Sequence, residues 1–189
     1  MTTPGSQCVR GGSPRSNQFQ LTAFSAVHPL CELTVALPVP TLRAVSEIAY
    51  IALGSNLGDR RGYLERARAE IDAIPGCHVI AASTIEETAP LGGLDQPAYL
   101  NQMLAVDTTL DPADLLTRLH AIERAAGRAR STKWDSRTLD LDLVIFDDRT
   151  VNTPTLTIPH PGLADRAFWQ REIAEVRAAL RNLTTTADE

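Results

Sequence analysis

The 189-residue sequence contains no uninterrupted apolar run that approaches the roughly 20 residues needed to cross a bilayer. Its N-terminus also lacks a basic segment followed by a clean apolar stretch, the pattern of a secretory signal. We therefore expect a soluble, cytoplasmic protein with no membrane partner. The length suits one well-buried domain and is short for two, which argues against a large multidomain enzyme.

Cysteine is scarce, and positive charge is not in excess. Cys8, Cys31 and Cys77 are odd in number, widely spaced and without a CxxC pair, so they predict neither a disulfide framework nor a zinc site. The formal net charge of -5 argues against a general binder of nucleic acid or membrane surfaces. Buried or idle thiols are the simpler interpretation of the cysteines.

The common nucleotide-binding motifs are absent. Lys133 is the only lysine among 18 basic residues, and it does not follow a glycine loop of the P-loop type. Residues 54–58 (GSNLG) do not satisfy the dinucleotide-binding fingerprint. A metal-bound triphosphate would therefore have to be held by arginines and aspartates.

The basic residues are concentrated in one segment. Residues 118–137 carry six bases against two acids, and Asp140, Asp142, Asp147 and Asp148 follow within the next few positions. Two interpretations stay open at this point. The segment is either an ordinary solvated loop or a site for a polyanion and its metal ion.

The first 44 residues differ in composition from the rest. Glycine, serine and proline recur there, and the pattern predicts a disordered or loosely attached extension. An organellar transit peptide or a misassigned start, with translation beginning near Val45, are alternatives. We place the folded domain at residues 45–189.

From residue 47 onward, strand and helix signals alternate. Short β-rich runs have a period of two, and apolar residues recur at helical spacing after Asp59 and after the Asp111-Pro112 pair. The predicted elements are strands at 48–53, 79–88, 99–109 and 138–146, with helices after residues 59 and 111. This β-α-β-β-α-β order predicts an α+β, ferredoxin-like fold, with helices packed on an antiparallel sheet and a C-terminal extension.

Two aspartates stand out in the last predicted strand. Side chains in a strand alternate between its faces, so Asp140 and Asp142 share one face. Adjacent carboxylates repel each other unless a cation lies between them, and Mg²⁺ binds one or two carboxylates together with substrate phosphates. A polar patch on a solvent-facing strand is the alternative.

The residues around this strand favour phosphate binding. Arg128, Arg130 and Arg137 precede it, and guanidinium groups bind phosphate oxygens in a bidentate manner. Trp134 stands among these charged residues, and no periodic apolar residues surround it, so it is a poor candidate for the core. We interpret it as a flap residue over a nucleotide. The other candidates follow the strand, namely His160 in a proline-fixed loop and Arg166.

An ordered series of motifs resembles the 6-hydroxymethyl-7,8-dihydropterin pyrophosphokinase family of folate biosynthesis. The series comprises residues 49–59 (AYIALGSNLGD), 88–92 (TAPLG), 95–101 (DQPAYLN), 127–142 with its Arg, Trp and RTLDLD positions, 159–161 (PHP) and 166–168 (RAF). Each motif alone is weak, but their order makes the resemblance specific. One departure is visible: three residues separate Phe168 from Glu172, whereas the family usually has about six.

The resemblance implies a set of roles for the residues of this chain. Asp140 and Asp142 would hold two Mg²⁺ ions that bridge the ATP phosphates, and the pterin would stack between Tyr99 and Phe168. Residues expected to bind ATP are Arg128, Arg130, Trp134, Arg137, His160 and Arg166. Residues expected at the edge of the pterin ring are Asn56, Thr88, Pro90, Leu91 and Asn101.

The reaction implied is attack of the pterin hydroxymethyl oxygen on the β-phosphorus of ATP, with release of AMP. Catalysis would rest on positioning and charge neutralisation by Arg128, Arg130 and Arg137, with Asp142 as a candidate proton acceptor. Glu123 would support the site. Residues 89–98 and 127–136 would act as lids, and the protein would be a monofunctional monomer that binds no nucleic acid.

Two other functions remain as alternatives. A ferredoxin-like RNA-binding module would use the arginine-rich segment and Trp134, and it requires exposed aromatic residues on the central strands. A catalytically impaired relative would keep the fold as a structural partner. The short segment after Phe168 is the feature that favours this second alternative.

Overall fold

The protein folds as a sheet with helices on both faces. A computed structural model describes residues 45–90, 95–127 and 137–185, so the predicted N-terminal extension lies outside the described residues. The strands are β1 (Glu47–Ser55), β2 (Cys77–Ala82), β3 (Glu86–Thr88), β4 (Tyr99–Thr108), β5 (Asp140–Phe146), β6 (Val151–Asn152) and β7 (Thr157–Ile158). The helices are α1 (Arg60–Asp72), α2 (Pro112–Ala125) and α3 (Ala167–Thr185), with a 3₁₀ turn at Pro161–Leu163.

The main sheet has the order β2-β4-β1-β5, and β3 pairs with the start of β4. All of these pairings are antiparallel. If β2 and β3 are taken as one interrupted strand, the sheet is that of a ferredoxin-like βαββαβ fold, which confirms the predicted fold class. β6 and β7 form a separate two-stranded ladder.

The first two helices begin where the sequence predicts. Asp59 precedes α1 and accepts a hydrogen bond from the Gly62 amide at 3.1 Å, which satisfies one of the free donors of the first turn. α2 begins at Pro112, because a proline in the first turn loses no helical hydrogen bond. Gly76, with φ of +84°, reverses the chain after α1 in a conformation that other residues rarely adopt.

Each face of the sheet carries its own apolar core. Leu64, Ala67 and Ile71 of α1 pack with the leucines of α2 on one face of the sheet. Trp169, Ile173 and Val176 of α3 pack on the opposite face. The sheet is therefore covered on both sides, and the predicted C-terminal extension is the helix that covers the second side.

A bulge in β5 changes which face its side chains point to. Tyr50 pairs with Ile145 while Ile51 pairs with Leu143, so Val144 is the extra residue on β5. Leu143 lies in the core beneath α1 and α2, whereas the consecutive residues Val144 and Ile145 both pack with the core beneath α3. The bulge therefore interrupts the alternation of faces and places two neighbouring apolar side chains of β5 against α3.

The predicted strand over residues 79–88 is divided into β2 and β3. Between them the Ser83 amide donates to the Met103 carbonyl at 2.8 Å, and the Ser83 hydroxyl accepts from the Met103 amide at 2.9 Å. A side chain thus takes the place of a backbone carbonyl in the ladder.

In the part of the chain that the structure describes, no helix is both long and apolar enough to cross a membrane.

We expect Phe146→Ala to destabilise the protein by about 3–5 kcal/mol, because it removes a ring with no solvent exposure. Chemical denaturation measures the change, and a loss below about 1 kcal/mol would contradict this packing. Arg149→Ala, which removes an exposed side chain beside the same ring, is the control and should cost far less. Phe146 and Asp140 lie at opposite ends of β5, so the end of the sheet that carries Asp140 should keep its geometry.

Candidate active site

A cleft opens where β1, β4 and β5 meet at one end of the sheet. Gly54 of β1 pairs with Asn101 of β4 on one side and with Asp140 of β5 on the other. The cleft brings together nine residues that the sequence predicts for the site, namely Thr88, Pro90, Tyr99, Asn101, Arg137, Asp140, Asp142, Arg166 and Phe168. Residues far apart in the chain therefore share one wall.

Gly54 forms part of the floor of this cleft. A Cβ atom at Gly54 would lie 3.5 Å from the Asn101 Oδ1 atom and 3.9 Å from the nearest atoms of Asp140 and Tyr99. The missing side chain leaves a space between these three residues. A flat ligand can therefore approach the backbone of β1 closely.

One half of the cleft is charged. The Arg137 Nη1 atom lies 2.5 Å from Asp140 Oδ2, and the Arg166 Nη1 atom lies 3.3 Å from Asp142 Oδ2. His160 lines a neighbouring pocket and not the cleft itself, and its Nε2 atom lies 4.0 Å from Asp142 Oδ1. Each aspartate therefore faces its own arginine, and the cluster holds both the cations that attract phosphate and the carboxylates that attract a metal ion.

The ionisation of this cluster follows from burial and from its neighbours. Burial, together with the nearby Asp140, raises the pKa of Asp142 above its ordinary value, although His160, Arg166 and Arg137 act against this. Burial lowers the pKa of His160, and its Nδ1 atom accepts a hydrogen bond from the Gly162 amide at 3.0 Å. In the neutral imidazole, Nε2 then carries the proton and faces Asp142.

Glu123 of α2 holds β5 between the two aspartates. Its Oε1 atom accepts a hydrogen bond from the Leu141 amide at 3.0 Å, and the residue is buried. Because Leu141 points away from the cleft into the core, this bond holds the strand from behind. The placement fits the supporting role expected of Glu123.

The other half of the cleft is aromatic and polar. Tyr99 and Phe168 both line it, and burial raises the pKa of the Tyr99 hydroxyl. The Asn101 amide donates to the Thr88 hydroxyl at 2.8 Å, which directs the Asn101 carbonyl oxygen toward the floor at Gly54. Two ring faces and a few fixed polar groups are what a flat heteroaromatic ligand needs.

Trp169 is a cleft residue that the sequence analysis missed. It is buried, it contacts the His160 ring edge-on at 5.2 Å between centroids, and the Arg166 guanidinium lies 4.0 Å over its ring. Trp169 therefore holds two of the predicted phosphate-binding residues in place. Its spacing to Ile173 and Val176 is that of one face of a helix, and this signal could have revealed it.

Asn56 lies outside the cleft wall. Its side-chain oxygen accepts from the Arg137 amide at 2.7 Å, and its side-chain nitrogen donates to the Pro97 carbonyl at 3.3 Å. Its own backbone amide donates to the Arg137 carbonyl at 3.1 Å. Asn56 thus ties the end of β1 to both Arg137 and the segment that leads to Tyr99.

Four predicted site residues lie outside the described part of the chain. They are Leu91, Arg128, Arg130 and Trp134.

Arg60, which the sequence analysis did not single out, supports the edge of the cleft next to Thr88 and Tyr99. Its guanidinium donates to the Ala98 carbonyl at 2.7 Å and lies 3.1 Å from Glu87.

Known proteins resemble this chain over most of its length. A family model described as 7,8-dihydro-6-hydroxymethylpterin-pyrophosphokinase (HPPK) matches residues 50–178. The chain is 38% identical over 144 residues to the 2-amino-4-hydroxy-6-hydroxymethyldihydropteridine pyrophosphokinase of Bacillus subtilis, which covers 76% of this chain and 86% of that protein. It is 39% identical over 132 residues to the protein of the same name from Pseudomonas aeruginosa, covering 70% and 82%.

A eukaryotic relative is also similar. The chain is 35% identical over 128 residues to the folic acid synthesis protein fol1 of Schizosaccharomyces pombe, covering 68% of this chain and 18% of that protein. The matched region is thus one part of a much longer polypeptide there.

We expect Asn56→Asp to destabilise the protein by about 1–3 kcal/mol at neutral pH. The new carboxylate still accepts from the Arg137 amide, but it places a negative oxygen against the Pro97 carbonyl where an amide donated before. The deficit should shrink as the pH falls, because a protonated carboxyl can donate to Pro97 again. Denaturation at several pH values measures this, and a pH-independent deficit would contradict the assigned bond.

Proposed function

The chain belongs to the 7,8-dihydro-6-hydroxymethylpterin pyrophosphokinase family, and we propose that the cleft at the ends of β1, β4 and β5 is its active site. The protein transfers pyrophosphate from ATP to the hydroxymethyl group of 6-hydroxymethyl-7,8-dihydropterin. The products are the pterin diphosphate and AMP, and the reaction belongs to folate biosynthesis. The observation that carries the assignment of the site is the joining of an aromatic slot to a cluster of two aspartates and two arginines in one cleft.

The aromatic half is the proposed site of the pterin. Tyr99 and Phe168 supply the two ring faces, and Asn101 with Thr88 supplies polar groups at the edge of the slot. Pro90 lines the same wall. Leu91 is assigned to the pterin site from its place in the motif at residues 88–92. Asn56 serves the pterin indirectly, by holding the segment that leads to Tyr99.

The charged half is the proposed site of the ATP phosphates. Arg137, Arg166 and His160 lie next to the two aspartates, where they can neutralise and orient the triphosphate. We assign Arg128, Arg130 and Trp134 to the same substrate from their position in the segment before Arg137. Residues 89–98 and 127–136 are proposed to close over the two substrates.

The aspartate pair suits Mg²⁺. Asp140 and Asp142 lie on one face of β5, and among the described residues they form no cluster of three or more His, Cys, Asp or Glu side chains that would enclose a metal ion. Mg²⁺ is typically held by one or two carboxylates with substrate phosphates and waters completing its shell. We propose that these residues hold two Mg²⁺ ions, which neutralise charge on the transferring phosphates when bound.

The residues of the chain act mainly by positioning. The slot holds the pterin so that its hydroxymethyl oxygen can attack the β-phosphorus of ATP, and the bond to the α-phosphate oxygen breaks as AMP leaves. Arg137 and Arg166 stabilise the charge that develops on the phosphate oxygens. Asp142 is the proposed acceptor of the hydroxyl proton, because it lines the same cleft as Tyr99 and Phe168.

The RNA-binding alternative gains no support from the sheet. Such a module stacks bases on exposed aromatic residues of its central strands. Here Tyr50 of the central strand β1 is only 7% exposed and lies in the core beneath α3, and Tyr99 of β4 is half-buried in the cleft. We propose a cytoplasmic monomer that acts on its two small substrates and binds no nucleic acid, in keeping with its net charge of -5.

Product analysis tests the reaction directly. When the purified protein is mixed with ATP, Mg²⁺ and 6-hydroxymethyl-7,8-dihydropterin, ³¹P NMR should show AMP that accumulates only when the pterin is present. Accumulation of ADP would instead indicate transfer of a single phosphoryl group. A folded sample with no turnover would favour the catalytically impaired relative.

Replacing either aspartate tests the metal assignment. Asp140→Ala and Asp142→Ala should each abolish Mg²⁺-dependent turnover while leaving the circular dichroism spectrum unchanged, because both side chains line the cleft rather than a core. Asp148→Ala, an exposed aspartate just after the same strand, is the matched control and should keep full activity. Full activity in either cleft variant would exclude the assignment.

Replacing Arg137 separates phosphate binding from pterin binding. We expect Arg137→Ala to lower kcat by roughly 100-fold or more, since it removes a cation beside the transferring phosphates. Pterin affinity, measured by calorimetry without nucleotide, should change little. An equal loss of both would show that Arg137 serves the slot as a whole.

A further inference from the structure

α3 contains a buried carboxyl group that the proposed mechanism does not use. Glu172 is only 2% exposed, and neither of its carboxyl oxygens has a hydrogen-bond partner in the described structure. Burying a charged carboxylate without hydrogen-bond partners costs free energy, so a glutamate at this position is more stable in its neutral form. Even when it is protonated, the Glu172 carboxyl has a hydroxyl donor and acceptor oxygens that make no hydrogen bond.

Glu172 lies between two contacts that fasten α3 to β3 and to the residues just before it. On one side the Arg171 guanidinium forms an ion pair with Glu86. On the other side Glu175 accepts from the Thr84 amide at 2.8 Å and from the Thr84 hydroxyl at 3.1 Å. These contacts connect the helix to the strand that ends at Thr88, in the wall of the proposed pterin slot.

The same helix carries the opposite wall of the slot. Phe168 precedes Glu172 by four residues, so the two side chains lie one turn apart on the same side of α3. Trp169, in the turn between them, is buried against the sheet and supports Arg166. A shift of α3 away from the sheet would therefore move Phe168 relative to Thr88 and Tyr99.

We propose that Glu172 is a positioning residue for the pterin: in its uncharged form it lets α3 lie against the sheet and β3, which fixes Phe168 across the slot. Ionisation of Glu172 places an unpaired charge in this contact and pushes the helix outward. The pterin then binds to a slot of the wrong width. This inference rests on the proposed function, because it takes the pterin as the ligand between Tyr99 and Phe168.

The charges around Glu172 favour the uncharged form. Burial is the largest influence, Glu86 and Glu175 add to it, Arg171 opposes it, and together they raise the pKa of Glu172 to about 8. The strands β1, β2, β4 and β5 pack apolar side chains against α3, among them Ala52, Ile80, Met103 and Val144. The charged groups that act on Glu172 are therefore Glu86 of β3 and its own neighbours on α3. Glu172 is therefore neutral at pH 7 and ionises as the pH rises through about 8.

The sign of the effect on stability follows from this. The folded state holds the proton of Glu172 more tightly than the unfolded state, whose carboxyl has the ordinary pKa of 4.5. The stability that the neutral group allows is complete below that value and is lost as the pH rises toward about 8. The variant Glu172→Gln stays neutral at every pH and should escape this loss.

The test compares the pH profile of the pterin KM in the wild-type protein, in Glu172→Gln and in the exposed control Glu65→Gln. If only the neutral form binds well, a pKa of about 8 raises the wild-type KM about 10-fold between pH 7 and pH 9. Glu65→Gln should follow the wild type, whereas the KM of Glu172→Gln should stay flat relative to both. At saturating pterin the bound form is the one with α3 against the sheet, so the kcat and the KM for ATP measured there should be similar in all three, and a shift confined to the pterin KM identifies positioning.

A second measurement needs no activity. The carboxyl ¹³C resonance that disappears in Glu172→Gln should titrate near pH 8 in the wild-type protein, and the Tm advantage of Glu172→Gln should be larger at pH 8.5 than at pH 4.5. A carboxyl that titrates near its ordinary value, or parallel KM profiles in wild type and Glu172→Gln, would overturn the proposal. Failure of the proposed function itself looks different: no variant turns over the pterin, while the carboxyl titration can still be read.

Discussion

The register of β1 against its two neighbours is the constraint on which the site depends. One backbone position, Gly54, pairs with Asn101 on one side and Asp140 on the other. The polar residue of the slot and the first carboxylate of the charged half are therefore held a strand spacing from the same glycine. A shift of one residue in either ladder would turn one of these side chains into the core.

The helix α3 distinguishes this sheet from one that presents an open face. Its apolar side covers Tyr50, Met103 and Val144, and its first turn brings Phe168, with Arg166 just before it, to the cleft. The same packing that completes the second core thus also builds one wall of the site. Stability and substrate binding are linked through this helix, because a loss of its packing would displace both halves of the cleft.

Charge balance explains why two aspartates can lie so close together. Each aspartate has its own arginine, and the imidazole of His160 lies near Asp142 as a third basic group. These cations reduce the repulsion between the carboxylates but leave the pKa of Asp142 raised, since burial outweighs them. A bound divalent ion relieves the same repulsion, so the arrangement is suited to binding metal and phosphates together.

The sequence by itself determined the order of the elements from β1 to β5, the starts of α1 and α2, and the shared face of Asp140 and Asp142, because these depend on local periodicity and on residues near in the chain. Its ordered motifs also indicated the family. Only the tertiary structure decided that Asn56 braces Arg137 instead of lining the cleft and that α3 covers the second face of the sheet. These features arise from contacts between residues tens of positions apart, and local patterns carry no information on such contacts.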